Sequence, residues 1–209
     1  MPNTALMKIF FSPTSPYVRK CMVTAHEVGL VGQLELLPAS AHPVTRDQAI
    51  IASNPLGKVP TLVSDDGHAL YDSRVICEYL NDLGQGRLLA KDGALRWEAL
   101  TLQSLGDGIL DAALLARYET AVRPEALRWN DWIQGKIDAI HTSLRYLDQH
   151  PEVFQRDFHL GLLTVGCALW YLDLRYPDLA WRLNYPQLAQ AAEPVLQRES
   201  MQQTWALPA

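Results

Sequence analysis

Asn54-Pro55-Leu56-Gly57-Lys58-Val59-Pro60-Thr61-Leu62 runs from two closely spaced breakers straight into a β-rich stretch, with a proline immediately before it. Proline cannot donate to a strand ladder, so Pro60 reads as a special turn at the first residue of a strand. A cis Val59-Pro60 bond is one such device. It would leave the Val59 backbone to pair with an extended peptide ligand by main-chain hydrogen bonds. The alternative is an ordinary loop before an edge strand.

Outward from this segment the chain alternates strand and helix patterns. Downstream, 61–63 and 69–71 flank Ser64-Asp65-Asp66-Gly67-His68, whose Asp-Gly step signals a hairpin. Val75, Ile76, Tyr79, Leu80 and Leu83 then recur at helical spacing up to Gly84. Upstream, 8–11 reads as a short strand, and Val18, Cys21, Met22, Ala25 and Val28 mark a helix stopped at Gly29. A second strand over 33–37 and a short helix over 45–52 follow, the latter ending before Asn54-Pro55 because a residue preceding proline disfavours helical dihedrals. The expected order is β-α-β-α, a hairpin and a third helix, closing a first domain at 1–82. Residues 84–93 read as a polar linker.

The remainder, 93–209, reads as an all-helical domain. A long helix is expected over 94–121, and Ile133, Ile137, Ile140, Leu144 and Leu147 follow bundle spacing. Residues 160–172 carry no charge but fall short of the roughly 20 needed to span a bilayer, so they read as a buried helix. Pro186 and Pro194 are each placed to open a short helix.

Composition narrows the function classes. The 209 residues are 48% hydrophobic, enough for one large core or two small ones. The net charge of −5 comes without a run of Lys or Arg, so no footprint for nucleic acid or an anionic membrane is expected. The N-terminus does not read as a secretory signal, which points to the cytoplasm. Cys21, Cys77 and Cys167 are widely separated in apolar helical phases, as suits reduced core thiols. No metal-binding, hydrolase or phosphate-loop motif occurs, so no metal is expected.

Two further segments offer chemistry. Ser12-Pro13-Thr14-Ser15-Pro16-Tyr17 sets hydroxyls between a strand end and a helix start, where unpaired N–H groups and the helix dipole favour an anion such as a thiolate. The plainer reading is that Ser15 or Thr14 caps the helix with Pro16 at its first position. Arg19 and Lys20 read as solvating that helix's outer face. At Tyr71-Asp72-Ser73-Arg74, Asp72 or Ser73 should cap the third helix, and the same groups could hold a ligand's carboxylate and ammonium.

The three segments in this order resemble the glutathione S-transferase family, in its bacterial, serine-type form: a thioredoxin-like domain followed by a helical bundle. The resemblance implies that Val59, between Lys58 and a cis Pro60, pairs with the cysteinyl unit of glutathione. It implies that Ser73 binds the γ-glutamyl carboxylate and that Asp72 faces the γ-glutamyl ammonium. Ser15 matches the serine that activates the thiol, with Ser12, Thr14 and Tyr17 as alternatives. A Cys-Pro-aromatic step is absent, which disfavours thiol-disulfide exchange. By the same resemblance the chain is a homodimer and glutathione is its co-substrate. Its second substrate is a small electrophile expected along the long helix, which carries Asp107, Gly108, Asp111, Arg117 and Tyr118. Gly106 and Gly108 read as points where another backbone or a ligand comes close, helix packing or a subunit contact being the plainer reading. Relatives begin a buried helix with a Ser/Thr…Asp capping box; His159-Leu160-Gly161-Leu162 lacks it, and Asp157 is the expected substitute cap. The competing reading is a non-catalytic protein on this fold, like the stringent starvation proteins. A glutathione-dependent peroxidase or isomerase is a third.

Overall fold

The computed structural model of the protein describes residues 6–204. Two compact units divide it, one of residues 6–90 together with 202–204, the other of residues 91–201.

In the first unit, β1 (Met7–Phe11), α1 (Pro16–Glu27), β2 (Leu34–Pro38), α2 (Gln48–Ser53), β3 (Thr61–Val63), β4 (Ala69–Leu70) and α3 (Ser73–Leu83) follow in order. The strands form one sheet in the order β2-β1-β3-β4, with β1 parallel to β2 and antiparallel to β3. Ile9 and Leu62, cross-strand partners, are fully buried, as are Val18 and Cys21 of α1 and Ile76, Cys77 and Leu80 of α3. The hairpin turns at Gly67, whose φ of +88° is the left-handed conformation glycine adopts without steric cost. This is a thioredoxin-like sheet and helix arrangement.

Three expectations are corrected in this unit. α2 starts at Gln48, later than 45, because Asp47 caps it by accepting the Ala49 N–H at 2.9 Å. Arg19 and Lys20 do not solvate an outer face: both are fully buried, and Arg19 Nε donates to Thr204 Oγ1 at 3.2 Å. The stretch after α3 is not a plain polar linker. Asn81 Oδ1 accepts the Leu88 N–H, Leu88 and Leu89 are buried, and a Cβ at Gly86 would fall 2.5 Å from Val28 Cγ1.

The second unit is helical: α4 (Gly93–Ala121), α5 (Asn130–Gln149), α6 (Leu160–Arg175), α7 (Trp181–Asn184), α8 (Pro186–Leu196) and α9 (Glu199–Gln203). α6 is buried from Leu160 to Leu172. α4 is long and apolar enough, by length and composition alone, to cross a membrane, yet Ala99, Leu102, Ile109, Leu110 and Ala113 are buried in protein. α4 and α6 approach closely at glycines: a Cβ on Gly106 would meet Thr164 Cγ2 at 2.8 Å, and one on Gly161 the Ala99 carbonyl at 2.7 Å. Nothing lies within 4 Å of a Cβ at Gly108, so no backbone among the described residues approaches that glycine closely.

Two more corrections belong here. The cap of α6 is His159, whose Nδ1 accepts the Gly161 N–H at 3.0 Å, and not Asp157. Pro186 opens α8, but Pro194 lies inside it. Its missing donor falls near the helix's C-terminal end, where only one turn remains to be disturbed.

Candidate functional site

Strand register brings the three sequence segments to one end of the sheet. Phe10 at the end of β1 pairs with Thr61 at the start of β3, so the loop Ser12–Ser15 adjoins the loop ending at Pro60. Leu70 at the end of β4 pairs with Leu62, which carries Tyr71–Ser73 to that same end. α1 and α3 both start there, and the Cys21 thiol of α1 lies 4.0 Å from the Ser73 carbonyl.

Ser15 is the N-cap of α1. Its extended backbone (φ −80°, ψ 118°) lets Oγ accept the Val18 N–H at 3.3 Å, with Pro16 in the first turn. The plainer reading therefore holds locally, but a hydroxyl that accepts through a lone pair keeps its proton to donate. Ser15 is half-buried, Thr14 exposed, and the Ser12 carbonyl accepts the Ser15 N–H at 3.1 Å.

The Val59-Pro60 bond is cis, as is Tyr71-Asp72. Among the described residues the Val59 backbone makes no hydrogen bond. Its loop is held by a residue the sequence reading passed over. Asn54, almost wholly buried, donates from Nδ2 to Thr61 Oγ1 at 2.8 Å and to the Lys58 carbonyl at 3.3 Å, and its Oδ1 accepts the Leu56 N–H. Thr61 Oγ1 donates in turn to the Lys58 carbonyl at 2.8 Å. The Lys58 side chain is exposed while its carbonyl is consumed by this network. An asparagine before proline was legible as a helix stop; that it would turn inward and organise the loop was not.

Asp72 caps α3, its Oδ1 accepting the Arg74 N–H at 2.9 Å, and it is exposed. Ser73 is the first helical residue and is 3% exposed. Among the described residues neither its N–H nor its hydroxyl makes a hydrogen bond, as expected of a first-turn donor. One end of the sheet thus presents a hydroxyl at one helix start, an uncommitted backbone at Val59, and a donor pair beside a carboxylate at a second helix start. Such a set can hold an extended peptide carrying an anion at each helix terminus and an ammonium at Asp72.

Of the residues expected along the long helix, Asp107 is buried, Gly108 and Asp111 are exposed, and Arg117 and Tyr118 are half-buried. Among the described residues no group of three or more His, Cys, Asp or Glu side chains could hold a metal ion.

Residues 14–83 match the family model described as the glutathione S-transferase N-terminal domain. The chain is 31% identical over 202 residues to the uncharacterized GST-like protein YibF of Escherichia coli K12, covering 95% of this chain and 98% of that one. It is 43% identical to a glutathione transferase family member from Pseudomonas fluorescens Pf-5, solved with bound glutathione, at a TM-score of 0.93 over 97% of this chain and all of the other. A glutathione S-transferase from Methylobacillus flagellatus, also solved with glutathione bound, is 35% identical at a TM-score of 0.85, covering 95% of this chain and 98% of that one.

Proposed function

Because the chain belongs to the glutathione S-transferase family, we propose that it binds glutathione at this end of the sheet and activates its thiol for attack on a small electrophile. The observation that carries the reading is the shared end reached by Ser15, Val59 and Ser73 through strand register. The Val59 backbone pairs with the cysteinyl unit beside Pro60 and Lys58. Ser73 takes the γ-glutamyl carboxylate, and Asp72 faces the ammonium. Solved relatives that hold glutathione support the choice of ligand. As the family resemblance implies, the protein works as a cytoplasmic homodimer that detoxifies electrophiles, glutathione being its co-substrate.

Ser15 donates its hydroxyl proton to the thiolate at the positive end of α1. A free thiol has a pKa near 8.5 and is only a few per cent ionised at pH 7; lowering that pKa by about two units, a hundredfold in the ionisation constant, corresponds to about 2.7 kcal/mol. One charge-assisted hydrogen bond together with a helix terminus supplies about that much. The thiolate sulfur then forms a bond to the electrophilic carbon as the leaving group departs with its electron pair.

The test is Ser15→Ala, assayed for conjugation of 1-chloro-2,4-dinitrobenzene. Losing one hydrogen bond to a charged group lowers kcat/KM by roughly 10- to 100-fold. Full retained activity would remove Ser15 from the mechanism. One observation favours a non-catalytic protein on the same fold: the Ser15 hydroxyl already has a structural task as a cap. Calorimetry separates the two, since no binding at millimolar glutathione would favour the non-catalytic reading.

A further inference from the structure

At the C-terminal end of the α4 and α6 pair, two arginines stand without a paired carboxylate among the described residues. Arg117 lies one turn beyond Ala113 on α4, and the Ala113 carbonyl accepts the Tyr176 hydroxyl at 2.6 Å, which fixes this turn beside the end of α6. Arg175, the last residue of α6, lies one turn beyond Tyr171. Both guanidiniums are half-buried, and among the described residues neither forms an ion pair. Arg175 Nε is buried with no hydrogen-bond partner among those residues.

The phenol between them keeps a proton to donate, although the Arg175 side chain hydrogen-bonds to its oxygen. Tyr171 is 2% exposed, and both arginines bear on its hydroxyl electrostatically. Burial holds its pKa above the usual phenol value, with the two cations opposing, so it remains a proton donor at neutral pH. Tyr176, whose pKa burial raises to about 12, is committed to the Ala113 carbonyl and does not compete. Two neighbouring cations repel each other, and among the described residues no carboxylate forms an ion pair with either to relieve them. A planar carboxylate matches the guanidinium fork with both oxygens and accepts from the phenol.

We infer that Arg117, Arg175 and Tyr171 form a carboxylate-binding site in the helical unit, and that the second substrate is an electrophile bearing a carboxylate. The second half rests on the transferase reading above; the first does not. Held there, the substrate would be selected by its charge, while its reaction with glutathione remains a displacement: sulfur bonds to carbon and halide leaves.

The test uses the full chain and two matched probe pairs. Calorimetry compares 4-methylbenzoate with neutral 4-methylbenzyl alcohol; the acid should bind, the alcohol should not, and Arg117→Gln or Arg175→Gln should weaken the acid roughly tenfold or more. Conjugation compares 4-(chloromethyl)benzoate with 4-methylbenzyl chloride; each variant should raise KM for the acid only. Circular dichroism checks that the variants fold, and Arg117→Lys and Arg175→Lys, which keep the charge, stand in should either glutamine variant unfold. Equal 4-methylbenzoate affinity in wild type and variants overturns the site. Inorganic phosphate bound as tightly, with the same dependence on both arginines, overturns the carboxylate assignment. Arginine-dependent binding with unchanged KM for the acid overturns the second-substrate role. If 1-chloro-2,4-dinitrobenzene is conjugated and neither benzyl chloride is, the second-substrate role is overturned; if none of the three is conjugated, the transferase reading fails and the calorimetry alone decides the site.

Discussion

At position 72 one carboxylate carries two separable tasks. Its Oδ1 caps α3 through the Arg74 N–H, a role asparagine fills equally well. Under the proposed reading its charge also faces the γ-glutamyl ammonium, which asparagine cannot match. Asp72→Asn should therefore leave the melting temperature nearly unchanged while weakening glutathione about tenfold, the loss of one charge-assisted contact. Calorimetry alongside a thermal melt reads both; an unchanged Kd would leave Asp72 a cap only. Ser15 divides in the same way, since Ser15→Asp keeps a capping oxygen but sets an anion where the thiolate belongs. That variant should stay folded and be less active than Ser15→Ala. These residues were legible because caps and prolines act over three or four positions. Asn54 was not, because its partners Lys58 and Thr61 become neighbours only once the loop has closed.

Helix against helix, the glycines of α4 and the cap of α6 decide more than propensity does. Gly106→Ala places a Cβ at 2.8 Å from Thr164 Cγ2 and 3.0 Å from the α6 backbone, so overpacking of about 1–3 kcal/mol outweighs the helix propensity gained. Gly108→Ala meets nothing and should stabilise by up to about 1 kcal/mol. Denaturant titration of the pair checks the opposite signs; matching shifts would refute the close approach. The sequence marks both glycines alike, since only α6 tells them apart. The His159 cap adds a pH dependence. Nδ1 accepts the Gly161 N–H, so the proton sits on Nε2 and the ring is neutral. Burial holds its pKa below the ordinary 6.5, with Arg156 adding and Glu98 opposing. On acidification the unfolded chain therefore takes up the proton first. The cap's contribution is full above about pH 6.5 and falls as pH drops from there through the lowered native value. Melts at pH 7.5 and 5.5 should show a loss that His159→Ser, a cap that does not titrate, lacks; an equal loss in both proteins would clear His159 of the effect. An unusual capping residue and a buried Arg19-Lys20 pair are tertiary facts that local periodicity does not encode.

For the molecule as a whole, where sulfur is and is not placed separates two chemistries open to this fold. Cys21, Cys77 and Cys167, spread over both units, are fully buried, and none is disulfide-bonded. The Cys21 and Cys77 sulfurs are 4.0 Å apart, about twice a disulfide bond length, and helix packing keeps reagents from both. Thiol reagents should leave the native protein unlabelled over minutes and modify three cysteines per chain in denaturant. Oxidised glutathione should likewise leave its mass unchanged, because the start of α1 offers a hydroxyl where exchange needs a thiolate. Ser15→Cys supplies that thiol at a helix N-terminus, which lowers its pKa. Its thiolate should attack one sulfur of oxidised glutathione, form a mixed disulfide, and release reduced glutathione as the leaving thiolate. Mass spectrometry of the intact chain then decides whether position 15 faces the bound peptide's sulfur. An adduct on the variant and none on wild type fits thiol activation by Ser15; an adduct on neither would move the thiolate away from this residue, towards Ser12, Thr14 or Tyr17.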